Sequence, residues 1–274
     1  MKNLKYYLIL VVGLILIVPT KGQTTEIPPL AFKSFKIGNL QSSKIANQGK
    51  FYLGISYRTS SLNDSTTSIF DWNNSSTQLS LLYGIWDRIQ LGISAETYRQ
   101  TYGASAKIGF LQQNDAFPLD ITGFTAIQMD AELSPERYPL MKFFDRLSYT
   151  SQIIVAHHFS NGLSIEAVPT FIRQNLVLEP FQQHNQIVIG FGGSLKVSKR
   201  LSLNVDYVHN LSRAATSIYQ DPFTLTLDMK FDQYDIQLLF SNADAINEAS
   251  VISNAKGSWA DLDIFFGLNV LRQF

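Results

Sequence analysis

The chain has 274 residues, 22 basic and 22 acidic side chains, no cysteine, and 45% hydrophobic residues. Balanced charge argues against a nucleic-acid-binding surface. The lack of cysteine excludes disulfides, thiolate chemistry and a lipid-modified cysteine anchor. After the N-terminus, no stretch supplies the ~20 apolar residues of a spanning helix.

The chain opens "MKNLKYYLILVVGLILIVPTKGQ". Lys2 and Lys5 form a basic region, Leu8 to Val18 an apolar one, and Thr20 and Gly22 are small residues before Gln23. This pattern predicts a secretory signal peptide over residues 1–22, cleaved between Gly22 and Gln23. Its removal takes away Lys2, Lys5 and Lys21 and no acid, leaving a slightly acidic chain. Residues 23–49, with Pro28 and Pro29, read as a periplasmic arm or partial plug, and residues 50–274 as the main domain.

From Phe51 onward the sequence alternates. In "KFYLGISYR", Phe51, Leu53, Ile55 and Tyr57 share one face, and Tyr52, Gly54, Ser56 and Arg58 the other. "TQLSLLYG", "IQLGISAET" and "YGASAKIGF" repeat the pattern, as do "IVIGFGGSLKV", "LSLNVDYVH", "FTLTLDMKF" and "YDIQLLFS". "LDITGFTAIQM" is a weaker match, "YTSQIIVAH" has Tyr149, Ile153 and Val155 on one side, and Pro169 in "LSIEAVPTF" predicts a local bulge. A period of two is that of a β-strand with one apolar face. The chain ends "DLDIFFGLNVLRQF": Leu262, Ile264, Phe266, Leu268, Val270 and Phe274 face one way and Asp261, Asp263, Gly267, Asn269 and Gln273 the other, with Phe265 and Leu271 as apolar intruders.

About twelve strands result, and their connections alternate in length. "WDR", "SNG", "SKR" and "DQ" are tight turns on one side; "LQQNDAFP" there is longer. The other connections are long, apart from "YRQT". Short periplasmic turns, long outer loops and an apolar outside with a polar inside describe an all-β, up-and-down, antiparallel transmembrane barrel. An even strand count returns the C-terminus to the periplasmic side, where the N-terminus starts. The last strand would pair with the first, leaving no sheet edge in lipid. Arg272 is expected at the membrane rim, its head reaching toward water.

The runs "RLSYTSQIIVAHHFSNGLSIEAVPTFIRQN", "SKRLSLNVDYV" and "GSWADLDIFFGLNVLRQF" resemble an uncharacterised family of Gram-negative outer-membrane β-barrel proteins, a domain of unknown function, over roughly residues 32–274. That family usually carries histidines where this chain has Tyr57 and Asp232–Tyr234. The resemblance implies a barrel in the outer membrane and no particular activity. The terminal Phe274, after Phe266, Leu268 and Val270, resembles the C-terminal signal read by the barrel-assembly machinery; an apolar residue usually stands where this chain has Arg272.

One motif points to chemistry. "HFSNG" resembles the H-x-S-N-G run of outer-membrane phospholipase A and the related run of lipid A deacylases, which would make His158 the base and Ser160 the nucleophile. A strand does place residues i and i+2 on one face. The motif, however, falls in a predicted periplasmic turn, and Asn-Gly is strong hairpin chemistry. His157, His184 and His209 show no metal-ligand spacing, and "IGFGG" lies mid-strand with no helix after it. No metal or cofactor is expected.

By parity the lumen wall holds Arg58, Glu96, Lys107, Asp120, Glu166, Lys196, Asp206, Asp228, Lys230, Asp235 and Asp263, seven acids and four bases. The expected function is a narrow pore or binding barrel for small polar solutes, with a mildly acidic lumen and no enzymatic activity. Two alternatives stand beside it: a lipid hydrolase using His158 and Ser160, and a structural or loop-mediated interaction barrel with a plugged lumen. Expected partners are outer-membrane lipid, the assembly machinery and a small polar solute.

Overall fold

The computed structural model describes residues 32–63, 75–134, 136–159, 162–177, 179 and 181–274. Among them the alternating segments form β1 Phe51–Ser61, β2 Ser76–Trp86, β3 Ile89–Glu96, β4 Thr101–Leu111, β5 Asp120–Asp130 and β6 Leu147–His158. They continue as β7 Leu163–Gln174, β8 Asn185–Lys196, β9 Leu201–Asn210, β10 Phe223–Lys230, β11 Tyr234–Ser241 and β12 Phe265–Gln273. Each strand pairs antiparallel with its neighbours in sequence, and the sheet closes as a barrel through β1 and β12. Tyr52 lies opposite Gln273 and Arg58 opposite Gly267, and the Phe274 N–H donates to the Phe51 carbonyl at 2.8 Å. Closure satisfies the backbone groups that an edge would leave bare.

The two faces invert the usual order of a soluble protein. Leu79, Leu91, Ile93, Ile165, Ile187 and Leu203 are exposed outside, while their strand neighbours Gln78, Gln90, Ser164, Gln186 and Asn204 are buried inside. A largely apolar exterior over a polar interior requires hydrocarbon as solvent. The barrel end that carries Phe51 and Phe274 bears the short turns, and we call it the near end. The far end bears the long connections, plus the tight turn at Tyr98–Gln100.

Three local expectations change. Pro169 makes no bulge: Gln152 faces Thr170 and Val155 faces Ala167, so the ladder is interrupted without a register shift. Shifts occur instead between Arg58 and Ser61, Gly84 and Trp86, and Gly109 and Leu111. The closing strand starts at Phe265, because Leu262 adopts a positive φ of 58° and Ser258 bridges Asp263 in a loop. Arg272 does not reach water. It is fully buried on the barrel's outer side, its guanidinium 5.4 Å from the Tyr234 ring and 4.6 Å from the Phe274 ring. Aromatic faces can hold a cation away from water.

Two inserts occupy the lumen. Residues 32–49 run inside from the near end, with Phe32, Phe35, Ile37, Leu40 and Ala46 buried. From the far end the β11–β12 connection folds inward and carries helix α1, Glu248–Asn254. The interior is therefore not uniformly polar. Phe124, Ile154, Val168, Ile172, Val188 and Val208 point in from β5 to β9 and pack with Leu40 of the arm and Ala249 and Ile252 of α1. A water-filled channel would leave this patch wet. Each large apolar side chain buried there contributes about 1.5–3 kcal/mol.

Candidate functional site: the occupied lumen

The arm has little regular structure, so its backbone groups need partners from the wall. Lys107 on β4 supplies several. Its Nζ donates to the carbonyls of Phe35 at 3.2 Å, Ser42 at 3.0 Å and Lys44 at 3.2 Å. Asn204 donates to the Ile37 carbonyl at 3.2 Å and Gln237 to the Lys36 carbonyl at 2.8 Å. Gln90 accepts from the Ala46 N–H at 2.9 Å. Asp206 accepts from the Asn39 N–H at 3.2 Å, and the Asn39 amide also reaches Thr224, Ser241 and Arg58. Gly38 is needed beside these groups, since a Cβ there would run into the Asp206 carboxylate and Thr226.

The far-end insert hangs on Glu96. Its carboxylate accepts from the N–H groups of Ile246 at 2.7 Å and Asn247 at 3.0 Å, and from the Asn247 side chain at 2.9 Å. Asn247 in turn caps α1 by accepting from the Ser250 N–H at 2.9 Å. Ser253 donates to Gln186 at 3.2 Å, and Arg213 to the Ile252 carbonyl at 3.0 Å.

The inserts meet at Glu248. Lys36 of the arm lies 2.8 Å from its Oε1, Gln41 donates to the same oxygen at 2.8 Å, and Gln128 of β5 donates to Oε2 at 2.9 Å. Burial alone would push this carboxyl up. The Lys36 ammonium and the hydrogen bonds outweigh burial and hold it below its ordinary value. Nearer the other end, Asp235 takes Lys44 at 3.2 Å and Lys230 at 2.5 Å.

Between the arm and the wall of β1–β5, β11 and β12 remains a cavity of 110 Å³. Gly54, Ser56, Gln78, Ser80, Gln90, Ser94, Ser105 and Asn269 line one side, with Lys36, Gln41, Asp235 and Glu248 also on its surface. It has room for several waters or one small solute.

The profile of the Membrane bound beta barrel domain (DUF5777) matches residues 32–274. The chain belongs to this family. The match begins at Phe32, so the luminal arm is part of the DUF5777 domain. Solved outer-membrane proteins share its fold at low identity. An outer-membrane channel from Pseudomonas putida F1 is 14% identical with a TM-score of 0.54, over 85% of this chain and 98% of that one. The KdgM porin is 8% identical with a TM-score of 0.50, over 81% of this chain and 99% of that one. No curated protein matches the sequence.

Within the DUF5777 barrel, Arg58, Glu96, Lys107, Glu166, Asp206, Asp228 and Asp235 are buried on strands that face the lumen. Asp120 and Lys230 sit at the near rim: Asp120 accepts from Ser43 of the arm at 3.3 Å, and Lys230 pairs with Asp235. Two residues depart from the expected wall. Lys196 is exposed at the near mouth, where β8 ends. Asp263 lies in the far-end loop before β12, where it accepts from Ser61. Leu271, an apparent intruder in the alternation, faces inward and packs with Phe35, Ala46 and Tyr52.

His158 ends β6, and its Nδ1 lies 2.9 Å from the hydroxyl of Ser164 across the hairpin. Ser160, like the cleavage residues Gly22 and Gln23, lies outside the described residues. Among the described residues no group of three His, Asp or Glu could hold a metal ion. Sequence reasoning missed Lys36, Gln41, Gln128 and Glu248. Their signal was weak: Lys36 sits in an irregular arm, and Glu248 in an outer connection that gave no sign of folding inward.

Proposed function

We propose that this DUF5777 barrel is an outer-membrane passage for small polar solutes, in a state where its two inserts narrow the lumen. The near end would face the periplasm, after cleavage of residues 1–22 as a signal peptide. Lipid would cover the apolar belt, and the assembly machinery would read Phe274 with Val270, Leu268 and Phe266. The observation that carries the reading is the cavity of 110 Å³ beside the arm, walled largely by small and uncharged polar side chains. Such a wall can hydrogen-bond a moving solute without holding it tightly. The arm is held by side-chain hydrogen bonds, each worth roughly 0.5–1.5 kcal/mol, by the Lys36 and Lys44 ion pairs and by its buried apolar side chains; none of these belongs to the strand ladder, so its release requires no unfolding of the sheet.

Planar-bilayer recordings test this reading. The folded chain should give small conductance steps, and a chain lacking residues 32–49 should give larger ones. A folded barrel that conducts nothing in either form would leave the plugged, structural barrel. The hydrolase reading has less support, because among the described residues the His158 ring bonds to Ser164, at the near end.

A further inference from the structure

The cavity beside the arm has two carboxylates on its surface, and ammonium groups of the chain itself hold both. Lys36 Nζ lies 2.8 Å from Glu248 Oε1 and also donates to the Ile246 carbonyl at 3.2 Å. Lys44 Nζ lies 3.2 Å from Asp235 Oδ2 and 4.6 Å from the centre of the Phe35 ring, and donates to the Lys33 carbonyl as well. Carboxylate, carbonyl and ring face together form a cation cage. The arm that supplies these groups has Lys33, Lys36 and Lys44 and no acid between residues 32 and 49.

A separate observation concerns Gln128, which lines the same cavity and is 3% exposed. Its amide nitrogen is committed to Glu248 Oε2 at 2.9 Å, and its oxygen has no hydrogen-bond partner. A buried acceptor left alone costs about 1–3 kcal/mol. The cavity surface thus carries two carboxylate acceptors, Glu248 and Asp235, with Lys36 as the donor already seated on Glu248.

We infer that this cavity is a binding site for small organic cations, primary ammonium and diammonium solutes, and that Lys36 and Lys44 are the chain's own stand-ins for them. The inference rests on the passage reading and names its solute class. An ammonium group carries three donors and no acceptor. It can therefore take the place of Lys36 on Glu248 Oε1. An anion would meet both carboxylates, and a neutral polyol that displaced Lys36 would leave the buried Glu248 carboxylate without its ammonium partner.

The test is calorimetric titration of the folded, detergent-solubilised full chain with 1,4-diaminobutane, with 1,4-butanediol and succinate as neutral and anionic counterparts. Diaminobutane should bind and the other two should not. Lys36→Met removes the internal competitor while keeping the stem. If the arm lysine occupies the site nine-tenths of the time, affinity should rise about tenfold. Glu248→Gln should weaken binding at least tenfold while the barrel keeps its heat-modifiable mobility. Equal binding of butanediol, or a diaminobutane affinity unmoved by both substitutions, overturns the inference. Conductance measured on the same preparations separates the two readings. A conducting barrel that ignores diaminobutane retains the passage and loses the cation site. A silent barrel whose diaminobutane binding follows the two substitutions retains the site and loses the passage.

Discussion

Leu40→Ala should loosen the arm without disturbing the sheet. Leu40 is 2% exposed and packs with Ile154, Val188, Val208 and Ala249. Its side chain also fills the space over Gly190, where an added Cβ would stand 2.8 Å from Leu40 Cδ1. Buried Leu→Ala changes cost about 2–5 kcal/mol. An irregular arm can settle partly into the gap, so the lower half applies, about 2–3 kcal/mol of docking energy. At 1.4 kcal/mol per tenfold, the undocked population rises roughly 30- to 150-fold. The absence of native cysteine gives a clean assay. Ser42, fully buried in the arm, can be changed to Cys and its labelling by a water-soluble thiol reagent followed in both backgrounds. Labelling tracks the open population while opening and closing are faster than the chemistry. Leu91→Ala, on the lipid-facing side, is the control and should not change the rate. Equal labelling in the Leu40→Ala and parent backgrounds would mean that the arm is not held by this cluster.

Glu96→Gln should release the far-end insert, since the charged acceptor of the insert's three hydrogen bonds is lost; about 1.5–3 kcal/mol of docking disappears, and proteolysis within residues 242–264 should accelerate. The Lys36–Glu248 pair sets a pH dependence. With its folded-state value depressed, Glu248 contributes stability that is complete above the ordinary carboxylate value of ~4.3 and lost as pH falls through the lower folded value. Conductance should therefore change little through this pair between pH 8 and 5 and rise below about pH 4. Deleting Phe274 removes the N–H that closes onto Phe51 and the ring over Arg272, and should lower the amount of assembled barrel seen by heat-modifiable mobility. His158→Ala should leave assembly and conductance unchanged; loss of a phospholipase or deacylase activity in purified protein would instead restore the hydrolase reading.

The barrel was legible because one period dominates each strand. A closed sheet in lipid tolerates few departures from apolar-out alternation, so strand number and turn length show in the order of apolar and polar residues. The lumen was less legible, and particular residues show why. Parity assigns Ile154, Ile172 and Val208 to the inside, yet apolar residues there read as noise until Leu40 and Ile252 are seen to cover them. Asp263 shared the parity of the last strand, but the positive φ of Leu262 broke the count before the strand began. Glu248 and Lys36 are 212 positions apart, and no local pattern announces that two irregular segments will meet inside a barrel.

Gly49, at φ 73°, turns the arm out of the lumen and into β1, with its N–H on the Gly84 carbonyl. Among the described residues the arm joins the wall covalently at one point, whereas the far-end insert is anchored at both of its ends. A single short leash keeps a released segment at an effective concentration on the order of millimolar. A solute competing for the places of Lys36 and Lys44 meets that fixed local dose however dilute the protein. The leash therefore acts as a set point: scarce solutes leave the arm seated, and abundant ones shift it. Lengthening the chain at Gly49 would lower the threshold without altering a single contact inside the barrel.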